Sequence, residues 1–302
     1  MRLGELETER SNPKTEKFHE LPTIEMLKLM NEEDAVIPLA VRDALSEIAL
    51  AVEACTVAVE LGGRIIYAGA GTSGRLGVLD AAEVVPTFGV SDDLFVALMA
   101  GGREALVNSA ERAEDGDDLG VRDAREASIS KNDVVIGITA SGRTPYVKGI
   151  LQYSRQAGAK TVLISNVANP QLQQLADITI AVRTGPEVIS GSTRLKAGTA
   201  QKIVLNMLST VTMARAGRVI GNQMVALRIM NEKLVDRAVR IVSDVSGLSY
   251  DDSERILEEA GREVPLATLI ALSGRRKEDC ISALNEARGN VRLALKELGG
   301  SV

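Results

Sequence analysis

The sequence predicts an α/β fold: a parallel five-stranded sheet, doubly wound and flanked by helices. An N-terminal helical arm precedes it and a small all-helical domain follows it. Three observations predict this. Short apolar runs alternate with amphipathic segments from about residue 64 to residue 216. Gly-rich turns end two of those runs just before a helix. After Asn222 the strand signal stops and helical spacing continues to the C-terminus. Strands that alternate with helices form a parallel sheet covered on both faces. The expected domains are 1–50 for the arm and first helices, 51–222 for the α/β domain and 223–302 for the helical domain.

In the arm, Asn12-Pro13 and Leu21-Pro22 interrupt regular structure. Thr23 suits an N-cap for a helix carrying Ile24, Met26, Leu27 and Met30 at helical spacing. Pro38 fits the first turn of a second helix, with Leu39, Val41, Leu45, Ile48 and Val52 on its apolar face. That helix is expected to run to Leu61 and stop at Gly62-Gly63. Five strands follow, at 64–68, 94–99, 133–139, 160–165 and 178–182. Helices are expected at 74–83, 103–114, 145–157 and 196–216. Beyond them, 224–245 reads as one helix, then 251–260, 264–273 and 277–298, the last with a Gly289-Asn290 turn.

Composition excludes several functions. With 41 acidic and 35 basic residues the net charge is −6, the wrong sign for wrapping nucleic acid. Three Phe, four Tyr and no Trp leave little for stacking on bases. One His and two Cys cannot build a multi-His or closed Cys/His metal site. Proton transfer in an enzyme of this composition falls to carboxylates, Lys or Tyr. Cys55 and Cys280 make no disulfide framework. The first residues lack a signal-peptide apolar core, and the run Val264 to Leu272 is far shorter than the ~20 residues that span a bilayer. A cytoplasmic protein with no membrane segment is expected.

Two loops carry the chemistry: Gly69-Ala-Gly-Thr-Ser-Gly-Arg75 and Thr139-Ala-Ser-Gly-Arg-Thr144. Small residues let the backbone approach an anion, while free amides and hydroxyls donate to phosphate oxygens. Gly69, Gly71 and Gly74 also fit G-x-G-x-x-G, so spacing alone admits a nicotinamide enzyme. One such loop is equally well a capped strand-to-helix turn; two in one sheet favour a phosphate site. Arg75 and Arg143 are either ligand-neutralising or exposed helix-start charges. A third segment, Gly185 to Lys196, reads by itself as a capped helix start with solvated charges. Met207, Met213, Met224 and Met230 read as core or interface filling, and His19 as a surface residue.

Longer strings are more specific: GRIIYAGAGTSGRLGVLDAAE at 63–83, GITASGRTPYV at 137–147 and GPEVISGSTRLKAGTAQK at 185–202. They resemble the N-acetylmuramic acid 6-phosphate etherases, a family of the sugar isomerase-type phosphosugar-binding fold (SIS domain). The resemblance extends from the arm, at Thr8-Glu9, through the C-terminal helices. Two departures fall in the arm, at Arg10-Ser11-Asn12-Pro13 and at His19.

The resemblance implies a cytoplasmic homodimer with shared active sites that acts on a phosphorylated amino sugar in cell-wall recycling. Its substrate would carry a D-lactyl ether at C3. Ring opening makes C1 an aldehyde and the C2 hydrogen acidic. A base removes that proton, lactate leaves C3 with an acid's help, and water adds back at C3. N-acetylglucosamine 6-phosphate and D-lactate result, with no metal and no cofactor required. The resemblance makes Glu83 the acid, in an apolar setting of Ala81, Ala82, Val84 and Val85 expected to raise its pKa. Glu114 would be the second carboxylate. Phosphate binding would fall to Ser73, Thr139, Ser141 and Thr144, with Thr72 and Ser192 behind them. Lys233 would enter a neighbouring subunit's site, and helices 39–61 and 196–216 would form the dimer interface. The alternative is a non-catalytic phosphosugar-binding sensor, which has no need of Glu83 beside the sugar. An aldose–ketose isomerase shares the ring opening and C2 chemistry but has no use for a lactate pocket.

Overall fold

Parallel strands buried on both faces read as unbroken apolar runs, and this chain forms its sheet from such runs. The computed structural model describes residues 7–108 and 115–300. The strands are β1 (Ile65–Gly69), β2 (Phe95–Met99), β3 (Val134–Thr139), β4 (Lys160–Ser165) and β5 (Ile178–Ala181). All are parallel, in the order β2-β1-β3-β4-β5. Every residue of β1 and β3 is buried.

The arm contains α1 (Thr23–Asp34) and α2 (Ile37–Arg42), followed by α3 (Leu45–Glu60). Within and between the strands lie α4 (Gly71–Phe88), α5 (Asp117–Glu126), α6 (Pro145–Gln156) and α7 (Lys196–Arg215). One sheet face buries Ile66, Ala68, Val135 and Leu163 against Tyr146, Val147, Ile150 and Leu151 of α6. On the other face, Gly77 of α4 lies against Tyr67 and Ile138, and Tyr67 donates to Asp80 at 2.8 Å. The expected doubly wound sheet is thus present.

The chain divides into two compact units: Met1–Ala81 with Asp93–Ser209, and Ala82–Asp92 with Thr210–Val302. The second unit contains α8 (Glu232–Ser246), α9 (Tyr250–Glu259), α10 (Val264–Ser273), α11 (Lys277–Glu286) and α12 (Val291–Glu297). Its core includes Val239, Val242, Leu257, Leu269, Cys280 and Val291. Asn231, Ser249 and Asn290 cap α8, α9 and α12 with their side chains.

Several element boundaries differ from expectation. The helix expected from Pro38 to Leu61 breaks at Asp43-Ala44, where Ala44 leaves helical geometry with φ −106° and ψ 9°. Leu39 and Leu45, placed on its buried face, are exposed. Thr23 is the first helical residue and not the N-cap. Residues 103–106 fall in the 3₁₀ turn Gly102–Leu106, and 109–114 lie outside the described residues. The helix expected from 224 starts only at Glu232, because Asn231 caps it. The segment 277–298 is two helices, separated at the Arg288-Gly289-Asn290 turn. Met213 is buried, whereas Met230 is exposed.

Candidate active site at the carboxyl ends of β1 and β3

In an open parallel sheet, a ligand crevice forms where successive connections leave in opposite directions. Here β1 connects outward to β2, and the chain then returns to β3 on the other side of β1. The switch point therefore lies between the carboxyl ends of β1 and β3. Both hydroxyl loops emerge there. A cavity of about 500 Å³ opens at this place, lined by Thr72 and Ser73 of the first loop and Ser141 and Thr144 of the second.

Thr139 sits behind that lining, 2 % exposed, and its Oγ1 lies 2.7 Å from Thr144 Oγ1. Ser73 donates to Gln201 Oε1 at 2.9 Å, and Gln201 Nε2 donates to Asn166 Oδ1 at 2.9 Å. Asn166 in turn donates to the carbonyl of Val182. The first loop is therefore held from beneath by a buried polar chain, and replacing a member strands its neighbour. Ser73→Ala should leave Gln201 Oε1 unpaired, costing about 1–3 kcal/mol in thermal or denaturant unfolding.

Three helices begin near this end of the sheet: α4, α6 and α7. Helix N-termini attract anions through free amides and the helix dipole. The terminus of α7 is already occupied. Glu187, fully buried, accepts from the amides of Lys196 and Ala197 at 2.9 Å each. Burial pushes the Glu187 carboxyl up, and the two amides pull against that. The capped helix start expected for this segment is confirmed, but Lys196 is not solvated. It is 2 % exposed and pairs with Glu33 at 2.7 Å. The helix starts at α4 and α6 remain open to the cavity.

The two arginines separate. Arg75 donates to the carbonyls of Ala105, Leu106 and Asn108, so it ties down the turn after β2. Arg143 lines the cavity, and its Nη1 is buried without a hydrogen-bond partner among the described residues. A buried donor left unpaired is costly and suits an anion site.

The arm supplies a wall that the sequence did not announce. Asn12 Nδ2 donates to Glu33 Oε2 at 2.7 Å and Lys14 Nζ to Glu33 Oε1 at 2.8 Å. Thr15 Oγ1 donates to the carbonyl of Val188 at 2.8 Å. These bonds bring Glu9 to the cavity beside Gly191 and Thr193. Burial works against the charge on Glu33, but its bonds with Lys14, Lys196 and Asn12 hold its carboxyl at about 2.

Of the remaining expected site residues, none of the described ones is among the residues that line the cavity. Glu83 is exposed on α4, while Ala81 and Val84 are buried. Its apolar setting is therefore not formed among the described residues: neighbours on a helix point about 100° apart, so Ala81 and Val84 are buried while Glu83 is not. Ser192 is half-buried between the lining residues Gly191 and Thr193. Lys233 is exposed in the first turn of α8. Glu114 lies outside the described residues. His19 is exposed, as expected.

The SIS domain model matches residues 116–211, and the glucokinase regulatory protein N-terminal SIS domain model matches 47–155. Among solved structures, a phosphoheptose isomerase from Francisella tularensis is 16 % identical with a TM-score of 0.49, covering 64 % of this chain and 98 % of its own. The N-acetylmuramic acid 6-phosphate etherase of Petrotoga mobilis is 51 % identical over 284 residues, 94 % of this chain and 95 % of that protein. That of Pseudothermotoga lettingae is 47 % identical over 296 residues, 98 % of this chain and 99 % of that protein. With identity of this level along nearly its whole length, the chain belongs to the N-acetylmuramic acid 6-phosphate etherase family.

Proposed function

We propose that the protein cleaves the D-lactyl ether of N-acetylmuramic acid 6-phosphate, giving N-acetylglucosamine 6-phosphate and D-lactate. The observation that carries this reading is the cavity at the switch point, built from two hydroxyl loops in a chain of the etherase family. Its small residues, open helix starts and Arg143 suit a phosphate monoester.

In the proposed reaction, Ser73, Ser141 and Thr144 hold the phosphate, Thr139 orients Thr144, and Thr72 and Ser192 assist. The open-chain sugar then has an acidic C2 hydrogen. Removal of that proton and departure of lactate from C3 leave an unsaturated aldehyde, to which water adds at C3. Glu83 protonates the departing lactate oxygen and then activates the water. Glu114 assists the C2 proton transfer. General acid–base catalysis of this kind contributes about 10²–10⁴-fold per group.

Glu83 acts in this reading from a homodimer, in which Lys233 enters the neighbouring subunit's site. Leu50, Val57 and Leu61 of α3 and its C-terminal end support such a partner surface. They are exposed apolar side chains, spaced to lie along one helix face. A cytoplasmic location accords with the cell-wall recycling role; among the described residues, no helix is long and apolar enough to cross a membrane.

Incubation with N-acetylmuramic acid 6-phosphate should release D-lactate. Reaction in ¹⁸O water should put the label at sugar C3 and none in lactate, because the sugar C3–O bond breaks. Label in lactate overturns the elimination–addition route. Tight binding with no lactate released would make the protein a phosphosugar sensor instead.

A further inference from the structure

Glu9 lines the cavity, yet it forms no hydrogen bond or ion pair among the described residues. The residues on either side of it are nevertheless anchored. Thr8 before it is fully buried, and Asn12 and Thr15 after it are buried and bonded to the segment ahead of α7. Gly191 makes room for it. A Cβ on Gly191 would come 3.0 Å from Glu9 Oε2, and the residue has φ +76°, which a side chain would strain. The fold thus fixes an arm and opens a space, and what it delivers there is an exposed carboxylate with no hydrogen-bond partner among the described residues.

We propose that Glu9 is a substrate-recognition residue, whose carboxylate accepts hydrogen bonds from the hydroxyl or amide N–H groups of the bound amino sugar. This rests on the phosphosugar reading above. An ionised carboxylate only accepts, and it repels other anions. The phosphate therefore belongs with the hydroxyl loops, the open helix starts and Arg143. The groups left for Glu9 are the neutral donors of the sugar itself. Charge-assisted bonds of this kind are short and stronger than neutral ones.

The test is calorimetric titration of the full chain with two probes, N-acetylglucosamine 6-phosphate and inorganic phosphate. Glu9→Gln and Glu9→Ala should weaken binding of the sugar phosphate, by roughly 10-fold or more for Ala. Gln, which keeps a carbonyl acceptor, should fall between Ala and the parent. Affinity for inorganic phosphate should stay the same or rise slightly, since a like charge has gone. Both variants should melt with the parent, because Glu9 makes no hydrogen bond or ion pair among the described residues. Equal losses for both probes would overturn the proposal, since Glu9 would then only shape the cavity. Unchanged affinity for the sugar phosphate would overturn it too, while leaving the phosphosugar reading intact. A parent protein that binds neither probe sinks the phosphosugar reading, and Glu9 recognition with it.

Discussion

Replacing Glu83 by Gln is expected to lower kcat by about 10²–10⁴-fold and to leave KM within a few-fold of the parent. Gln matches Glu in shape but cannot exchange a proton at neutral pH. Binding should persist because the proposed reaction holds the phosphate on the two hydroxyl loops, and Glu83 is not among the residues that line the cavity there. Folding should persist as well. Glu83 is exposed, and its side chain bonds no described residue; only its backbone carbonyl accepts, from Thr87 Oγ1 at 2.7 Å. Lost turnover with an unchanged melting temperature and retained binding of N-acetylglucosamine 6-phosphate thus reports chemistry. Unchanged kcat would remove Glu83 from the acid's role without touching the family assignment.

Much of the fold was legible because the centre of the sheet is buried on both faces: strands with no solvent face must be short apolar runs, and β1 and β3 are. Helix α5 was not legible, for a specific reason. Its contact with α6 is backbone against backbone. A Cβ on Gly120 would sit 2.1 Å from the Tyr146 carbonyl, and one on Gly149 would sit 2.0 Å from that of Asp117. Such a contact leaves no apolar stripe to read in Asp117–Glu126. The hydroxyl loops were legible because phosphate chemistry needs small and hydroxylated residues in one local stretch. Glu9 was missed because it reaches the cavity through partners far along the chain, Asn12 through Pro186 and Thr15 through Val188. The pairing that anchors them looked like ordinary surface charge: Glu33 sits in Asn31-Glu-Glu-Asp34, and Lys196 at a helix start. Only burial distinguishes Glu33 from Glu32 beside it.

That buried pair carries the largest expected stability effect. Glu33 is 4 % exposed and Lys196 is 2 % exposed. Glu33→Ala strands the Lys196 ammonium away from water, and removal of one partner of a buried pair costs about 3–5 kcal/mol. Lys14, being exposed, keeps its hydration and adds little to the loss. Removing both charges together, as Glu33→Gln with Lys196→Met, should recover part of the loss, since no charge then stays buried alone. The pH dependence follows from the Glu33 carboxyl, lowered from its ordinary 4.5 to about 2. A lowered carboxylate contributes its stability above the unfolded value and loses it as pH falls toward the folded one. A displacement of this size is worth ~3 kcal/mol at about 1.4 kcal/mol per pH unit. Denaturant midpoints of the parent should therefore drop between about pH 4.5 and 2, and those of Glu33→Gln should drop less across the same window. The arm should respond first, because Glu33 joins Asn12 and Lys14 to Lys196. Protease cleavage within residues 8–20 should accelerate in Glu33→Ala before the sheet unfolds. Parallel pH profiles for parent and Glu33→Gln would show that the pair contributes nothing to stability through its charge.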